Sequence, residues 1–493
     1  MDTIINDIIE VDNNTVDSYE SRRRRRPSIR IDRKNNWHLY VYTIAMFFNH
    51  LAYGIIGGLI GPTLVDFKYI LNTTMEMISI SLIMNNIGYL SGALFGLLYK
   101  YVNRQLVIVI TMTSMATSIA LMPHSSSIAM LFFYQYLNGL GAGVWDAANN
   151  VWLIEMWPQN SSPVLQFSQF FYGLGSVFGP ILVRPYLTGE TQSHNSTQSG
   201  VSLTADITND VTTTPAPVDR KTLLSTPFLI SGILQGFIPV VLLFMFFIKQ
   251  YKNPEERLKR KNSSESLLSN EGIDDQTVYS EQEDESLEML YTSRTRTFLV
   301  ILFSLLIAIY SSIEIAHFSY SSTYYQFIPL HVSAKTTAEI LSVMSTSYTV
   351  GRCISAFVAI KVGPQVMIVY HLIIVIIGMA ILYYGSHLLS LIWFGNVVLG
   401  FGFSAMYSAI IALTAMHCKM TDTVSTLMVF TNGVVSALTP YILGPIIETN
   451  PFSFILLELI YLIISILLFL MITIITRKPV NRSTSLSTFI VDT

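Results

Sequence analysis

Twelve apolar stretches, each about long enough to cross a bilayer, constrain this chain more than any motif it contains. They run over about 38–60, 77–98, 106–122, 128–155, 165–187, 226–248, 297–321, 338–360, 366–385, 389–416, 423–447 and 453–475. A helix needs roughly 20 apolar residues to span the hydrocarbon core. Inside lipid the backbone must satisfy its own hydrogen bonds, so such stretches are helices. Only 12% of the 493 residues are charged, against roughly 25% in an average soluble protein. The few charges crowd between the apolar stretches, as in a multi-span membrane protein. The fold class expected is therefore all-α, with twelve transmembrane helices.

Basic residues set the expected orientation. With the N-terminus inside, twenty-three of the 29 Lys and Arg residues fall in inner segments and five in outer loops or outer helix ends. Arg352 lies within the eighth span. Both termini are expected to be cytoplasmic, at the plasma membrane. The basic run Arg22–Arg26 reads as a topology anchor at the inner leaflet. No cleavable signal is expected, because the first 36 residues are polar and the first span is followed by many more. Sequons at Asn72 and Asn195 fall in expected outer loops and are candidate glycosylation sites.

The organisation expected is a basic N-terminal tail (1–37), a six-helix bundle (38–249) with an outer loop at 188–224, a charged inner linker (250–296), a second six-helix bundle (297–475) and a C-terminal tail (476–493). The halves echo each other. Ser176–Leu182, SVFGPIL, resembles Tyr441–Ile447, YILGPII; Gly139–Gly143, GLGAG, resembles Gly400–Ser404, GFGFS; Gln105–Val109, QLVIV, resembles Gln365–Val369, QVMIV. Each match pairs one span with the span six later. Parallel repeats of six helices are the signature of major facilitator transporters, in which spans 1, 4, 7 and 10 line a midplane cavity.

Those cavity spans carry unexpected polar groups. Asp146 has Asn149 and Asn150 three and four residues on, so the three share a face of span 4 beside Trp145. A carboxylate near the bilayer centre costs ~3 kcal/mol or more unless it is paired or wet. The alternatives are a cavity-facing group and an interhelical hydrogen-bond clamp. Span 7 adds Glu314 and His317 on one face. Asp146 and Glu314 are the candidate cation-coupling residues, since a hard cation wants oxygen ligands and a proton wants a desolvated carboxylate. Amides and aromatic faces suit a polyhydroxyl solute. The candidate substrate-binding residues are Asn49, Trp145, Asn149, Asn150, Gln169, His317, Trp393, Asn396 and Asn432. Arg352 and Glu155 are expected in structural or gating ion pairs.

Two cysteines, Cys353 and Cys418, offer neither a disulfide framework nor metal-ligand spacing. No nucleophile–base pair or phosphate loop stands out, so no enzyme and no resident cofactor are expected. The net charge of −3 gives no reason for a nucleic-acid partner. The partners expected are a small-molecule solute and the lipid bilayer, with the chain a monomer.

Several stretches resemble a known family. GLIGPTLVDF (Gly58–Phe67), IGYLSGALFG (Ile87–Gly96), GVWDAANNVWLIEMW (Gly143–Trp157), YSSIE (Tyr310–Glu314) and GRCIS (Gly351–Ser355) resemble the group of sodium-dependent glucose transporter 1 and major facilitator superfamily domain-containing protein 4. The architecture is more distantly similar to bacterial L-fucose–proton symporters. The resemblance implies hexose uptake coupled to sodium. It places family positions on Asp146, Asn150, Trp157, Glu314 and Gly351-Arg352. The chain departs from the family at Ala148 and Asn149, where a glycine pair is usual, and at Lys100 and Asn103 in the loop between spans 2 and 3. A proton-coupled symporter of sugar or another polar solute, and a non-transporting membrane sensor or scaffold using the 250–296 linker, are the rival expectations.

Overall fold

The computed structural model describes residues 37–95, 103–157, 161–190, 219–248, 292–359, 361–418 and 422–477. These residues fold into helices α1 (Trp37–Ile70), α2 (Met75–Leu94), α3 (Arg104–Leu121), α4 (Ile128–Met156), α5 (Ser161–Val183), α6 (Arg220–Ile248), α7 (Ser293–Phe327), α8 (Ala334–Val358), α9 (Pro364–Gly385), α10 (Leu389–Phe403), α11 (Met406–His417), α12 (Asp422–Leu443) and α13 (Ser453–Thr476). Short 3₁₀ turns follow α3 and α5. Among the described residues there is no strand. Side-chain caps start several helices: Thr74, Asn103, Ser127 and Ser333 each accept from a backbone N–H of the following turn.

The helices map onto the twelve expected spans with one correction. The tenth span is two helices, α10 and α11, broken at Ser404 and Ala405. Gly402 carries the carbonyl that the break exposes. It accepts from Nδ1 of His371 at 2.9 Å and from the Tyr310 hydroxyl at 3.5 Å. Irregular backbone at membrane depth needs such partners. Eight stretches are long and apolar enough to cross a membrane by length and composition alone. The outward faces are apolar: Phe247 is 78% exposed and Ile233 64%, as lipid contact requires.

The packing repeats at the six-span offset that the sequence motifs suggest. In the first half α1 packs on α5 and α2 on α4; in the second α7 packs on α12 and α8 on α10. The halves meet through α2 with α12, α5 with α8 and α1 with α7. Polar ties between the halves concentrate at the end away from the chain termini. There Lys68 reaches Glu448 at 2.6 Å, Arg184 pairs with Glu339, the Glu190 backbone N–H donates to Oε1 of Gln326 at 3.1 Å, and Ser342 donates to the Val177 carbonyl at 3.1 Å. A second cluster at the same end holds the buried Asp66 carboxylate between Arg220, at 2.7 Å, and the backbone N–H groups of Thr188 and Gly189. The structure is closed at this end.

Candidate functional site

The site begins with a close helix crossing. Gly88 and Gly92 on α2 face Gly139 and Gly143 on α4, each pair spaced by four residues. A methyl group added at Gly139 would sit 1.9 Å from the Asn85 carbonyl, and one at Gly143 2.1 Å from that of Tyr89. Only bare backbone allows this approach, the small-residue packing that membrane helices favour. It brings Tyr89 within reach of the next turn of α4, where its hydroxyl donates to Asp146 at 3.1 Å. Asp146 is half-buried, and among the described residues this neutral phenol is its hydrogen-bond partner.

More phenols surround that carboxylate. Tyr53 on α1, Tyr172 on α5 and Tyr407 on α11 lie within electrostatic range of Asp146. Tyr53 and Tyr172 stack at a tilt with ring centroids 5.5 Å apart. Tyr407 is 45% exposed, and Glu314 and Arg352 of its own half also lie within electrostatic range of it. Charged groups on three other helices thus lie within electrostatic range of this one phenol. The break before α11 immediately precedes the turn that carries it.

The second carboxylate is held differently. Glu314 on α7 accepts a hydrogen bond from the Tyr348 hydroxyl, which in turn accepts from Nη2 of Arg352. The guanidinium lies over the Tyr348 ring, 4.3 Å from its centroid. Nη1 of Arg352 crosses to α5 and donates to the backbone carbonyl of Gln169 at 3.1 Å and to its Oε1 at 3.0 Å. Among the described residues Arg352 makes no direct ion pair with a carboxylate; its charge meets Glu314 through a phenol.

The other residues singled out from sequence are dispersed. His317 and Asn396 are fully buried in a closed cluster of the second half, not beside Glu314. Nδ1 of His317 meets Glu458 of α13 at 3.0 Å, and Nε2 meets Oδ1 of Asn396 at 3.1 Å. Asn396 also donates to the Tyr325 hydroxyl and the Ile392 carbonyl, both at 2.7 Å. Phe403 and Phe454 seal the cluster. Asn49 accepts from Gln235 of α6 at 2.8 Å, a clamp within the first half. Trp145 is buried against His50, with ring centroids 5.8 Å apart, and its Nε1 has no acceptor among the described residues. Asn149 is buried on the same helix, Trp393 half-buried against the core, and Oδ1 of Asn432 lacks a donor among the described residues. Asn150 lies on α4, but its side chain is outside the described residues. Glu155 pairs with Arg104 at the start of α3, at 3.1 Å. Asn72 sits exposed in the turn after α1 with φ 46°, whereas Asn195 lies outside the described residues.

Sequence reasoning missed Tyr89, Tyr348, Glu458 and His371. Tyr348 had a usable signal: it precedes Arg352 by four residues, on the same helix face. Glu458 lies in the most apolar of the described helices, and its partner is 141 residues away, so no local pattern pointed to it.

A profile of the Major Facilitator Superfamily matches residues 42–440. Major facilitator superfamily domain-containing protein 4A of Xenopus tropicalis is 22% identical over 427 residues, covering 81% of this chain and 84% of that protein. Human sodium-dependent glucose transporter 1 is 24% identical over 221 residues, 44% of this chain and 42% of that protein. The fold is similar to a partially occluded inward-open form of the xylose transporter XylE of E. coli. That likeness has a TM-score of 0.63 at 12% identity and covers 88% of this chain and 96% of that one. It is also similar to a mutant of the nucleoside transporter NupG, with a TM-score of 0.57 at 14% identity over 88% of this chain and 99% of that one.

Proposed function

The chain belongs to the Major Facilitator Superfamily, and from that premise we propose that it moves glucose or a related hexose across the plasma membrane by alternating access, with sodium as the coupling ion. Membership makes it a multi-pass membrane transporter of a small solute, not an enzyme. The finer reading is supported above all by Asp146. It is a half-buried carboxylate within a long apolar helix, its hydrogen-bond partner among the described residues a neutral phenol, with Tyr53, Tyr172 and Tyr407 within electrostatic range. An anion so poorly compensated is costly, and a bound cation removes that cost. Phenol hydroxyls and rings give a sugar both hydrogen bonds and apolar stacking. On this reading the termini are cytoplasmic, which makes the closed end the outer one and has solute exchange at the inner side.

The test is D-glucose accumulation in proteoliposomes with a sodium gradient, against choline at equal pH. The expected result is sodium-driven accumulation that Asp146→Asn abolishes while the protein remains monodisperse. Undiminished accumulation in that variant refutes the role of Asp146. Accumulation that follows a pH gradient and ignores sodium replaces the ion and leaves the carrier.

A further inference from the structure

We propose that Tyr348 is a positioning residue: its hydroxyl passes the charge state of Glu314 to Arg352, and so sets the strength of the tie between the two helical bundles. The purpose of such a relay rests on the transport reading above, but its geometry stands apart from it. A phenol has one hydrogen to give and lone pairs to receive. Here both are used in opposite directions, toward Glu314 on α7 and from Arg352 on α8. Tyr348 is fully buried, and Phe318 packs edge-on against its ring at 5.5 Å. The hydroxyl is thus held between one anion and one cation that do not touch each other.

The far side of Arg352 is what makes the relay matter. Both bonds from its Nη1 end on Gln169, which belongs to the other bundle. A bond to an ionised acceptor is about twice as strong as one to a neutral acceptor. When Glu314 is ionised, the phenol is polarised toward it and its oxygen is a better acceptor for Arg352. The guanidinium is then compensated while it bridges to α5. When Glu314 is neutralised by a proton or a bound cation, Arg352 is left as an uncompensated charge at membrane depth, a costly state. The tie to Gln169 weakens as the guanidinium turns toward water. Neutralisation at one helix of the second bundle is thereby read at the seam between bundles.

The seam can be read without any solute. In a chain whose two native thiols are removed, Cys353→Ser and Cys418→Ser, the ion-paired ends Arg184 and Glu339 are replaced by cysteines. The rate of their joining by a short bifunctional maleimide in proteoliposomes reports the closed population. The expected result is that Glu314→Gln slows joining by about fivefold or more, the lower range of measured couplings between sites. In a Tyr348→Phe background, which keeps the ring and removes only the relay, Glu314→Gln should change the rate less than about twofold. Arg352→Lys, which keeps a charge but loses the forked contact, should mute Glu314→Gln in the same way. If Glu314→Gln has the same effect with Tyr348 or Phe present, or no effect in either, the relay is overturned. A role for Tyr348 in packing alone would lower thermal stability and leave the Glu314→Gln effect intact. Glucose accumulation is measured on the parent protein in parallel. Its absence overturns the hexose reading and leaves the cross-linking result to judge the relay.

Discussion

The cluster of His317, Glu458, Asn396 and Tyr325 makes an ordered stability prediction, because its hydrogen bonds fix where protons sit. The Asn396 amide donates to the Ile392 carbonyl, which can only accept, so Oδ1 is the atom facing Nε2 of His317. That nitrogen must carry a hydrogen. One further proton lies between Nδ1 and Glu458, and the pair as a whole is neutral. Glu458→Gln keeps a donor for Nδ1 and should cost under about 1 kcal/mol, the scale of one exchanged hydrogen bond. Glu458→Leu leaves Nδ1 as a buried acceptor without a donor, about 1–3 kcal/mol. His317→Leu strands a fully buried carboxyl group and should cost most, about 3–5 kcal/mol. Removing both partners together should cost less than His317→Leu alone. The assay is the thermal unfolding midpoint in detergent, followed by intrinsic tryptophan fluorescence. The reasoning is refuted if His317→Leu is no worse than Glu458→Leu, or if the double variant equals the sum of the singles. If His317 were a sugar ligand, Glu458→Leu would instead raise the glucose KM and leave the midpoint in place.

Other perturbations follow from the same geometry. Gly143→Val forces α2 and α4 apart, since even a methyl group would lie 2.1 Å from the Tyr89 carbonyl; it should lower the unfolding midpoint and glucose uptake together, whereas an unchanged midpoint refutes the close crossing. Lys68→Ala and Glu448→Gln each remove a partly exposed tie at the closed end, with side-chain exposures of 17% and 31%. Each should shift the closed population by about 1 kcal/mol or less, read as up to about fivefold faster labelling of a cysteine placed at Ser79. Trp157→Phe removes the donor to Thr43 at 2.9 Å between α4 and α1; it should destabilise by about 1 kcal/mol without altering sodium dependence.

The fold was legible because membrane helices obey one dominant rule. Eight of the helices between Trp37 and Thr476 are long and apolar enough to be read as spans on composition alone, but the weak Gly-Pro echoes do not mark equivalent contacts: Gly179 of α5 packs on α1, whereas Gly444, just past α12, meets Ser79 of α2 in the other half. The site was only half legible. Asp146 and Glu314 stand out because isolated carboxylates in apolar helices are rare and costly. What each carboxylate contacts depends on rotation and register of helices far away in sequence, which composition does not encode. Hence the asparagine cluster dispersed: Asn49 turned to Gln235, Asn396 to His317, and neither gathered around Asp146. The amide groups announce polarity but carry no address.

The break between α10 and α11 shows how an irregularity can be both paid for and used. A continuous helix would bind the Gly402 carbonyl to the N–H four residues on. Here His371 supplies the donor from α9, and its Nε2 faces the Ser355 hydroxyl at 3.4 Å. That arrangement selects the tautomer with hydrogen on Nδ1, so a neutral ring satisfies both neighbours. Gly402 packs against α9 as well: a methyl group there would meet the Val375 side chain at 2.8 Å. The freed backbone is thus anchored against α9. Only the following turn is reoriented, and that turn carries Tyr407 toward Asp146 and Glu314. The break thus sets one phenol, on a short helix of its own, within electrostatic range of both carboxylates.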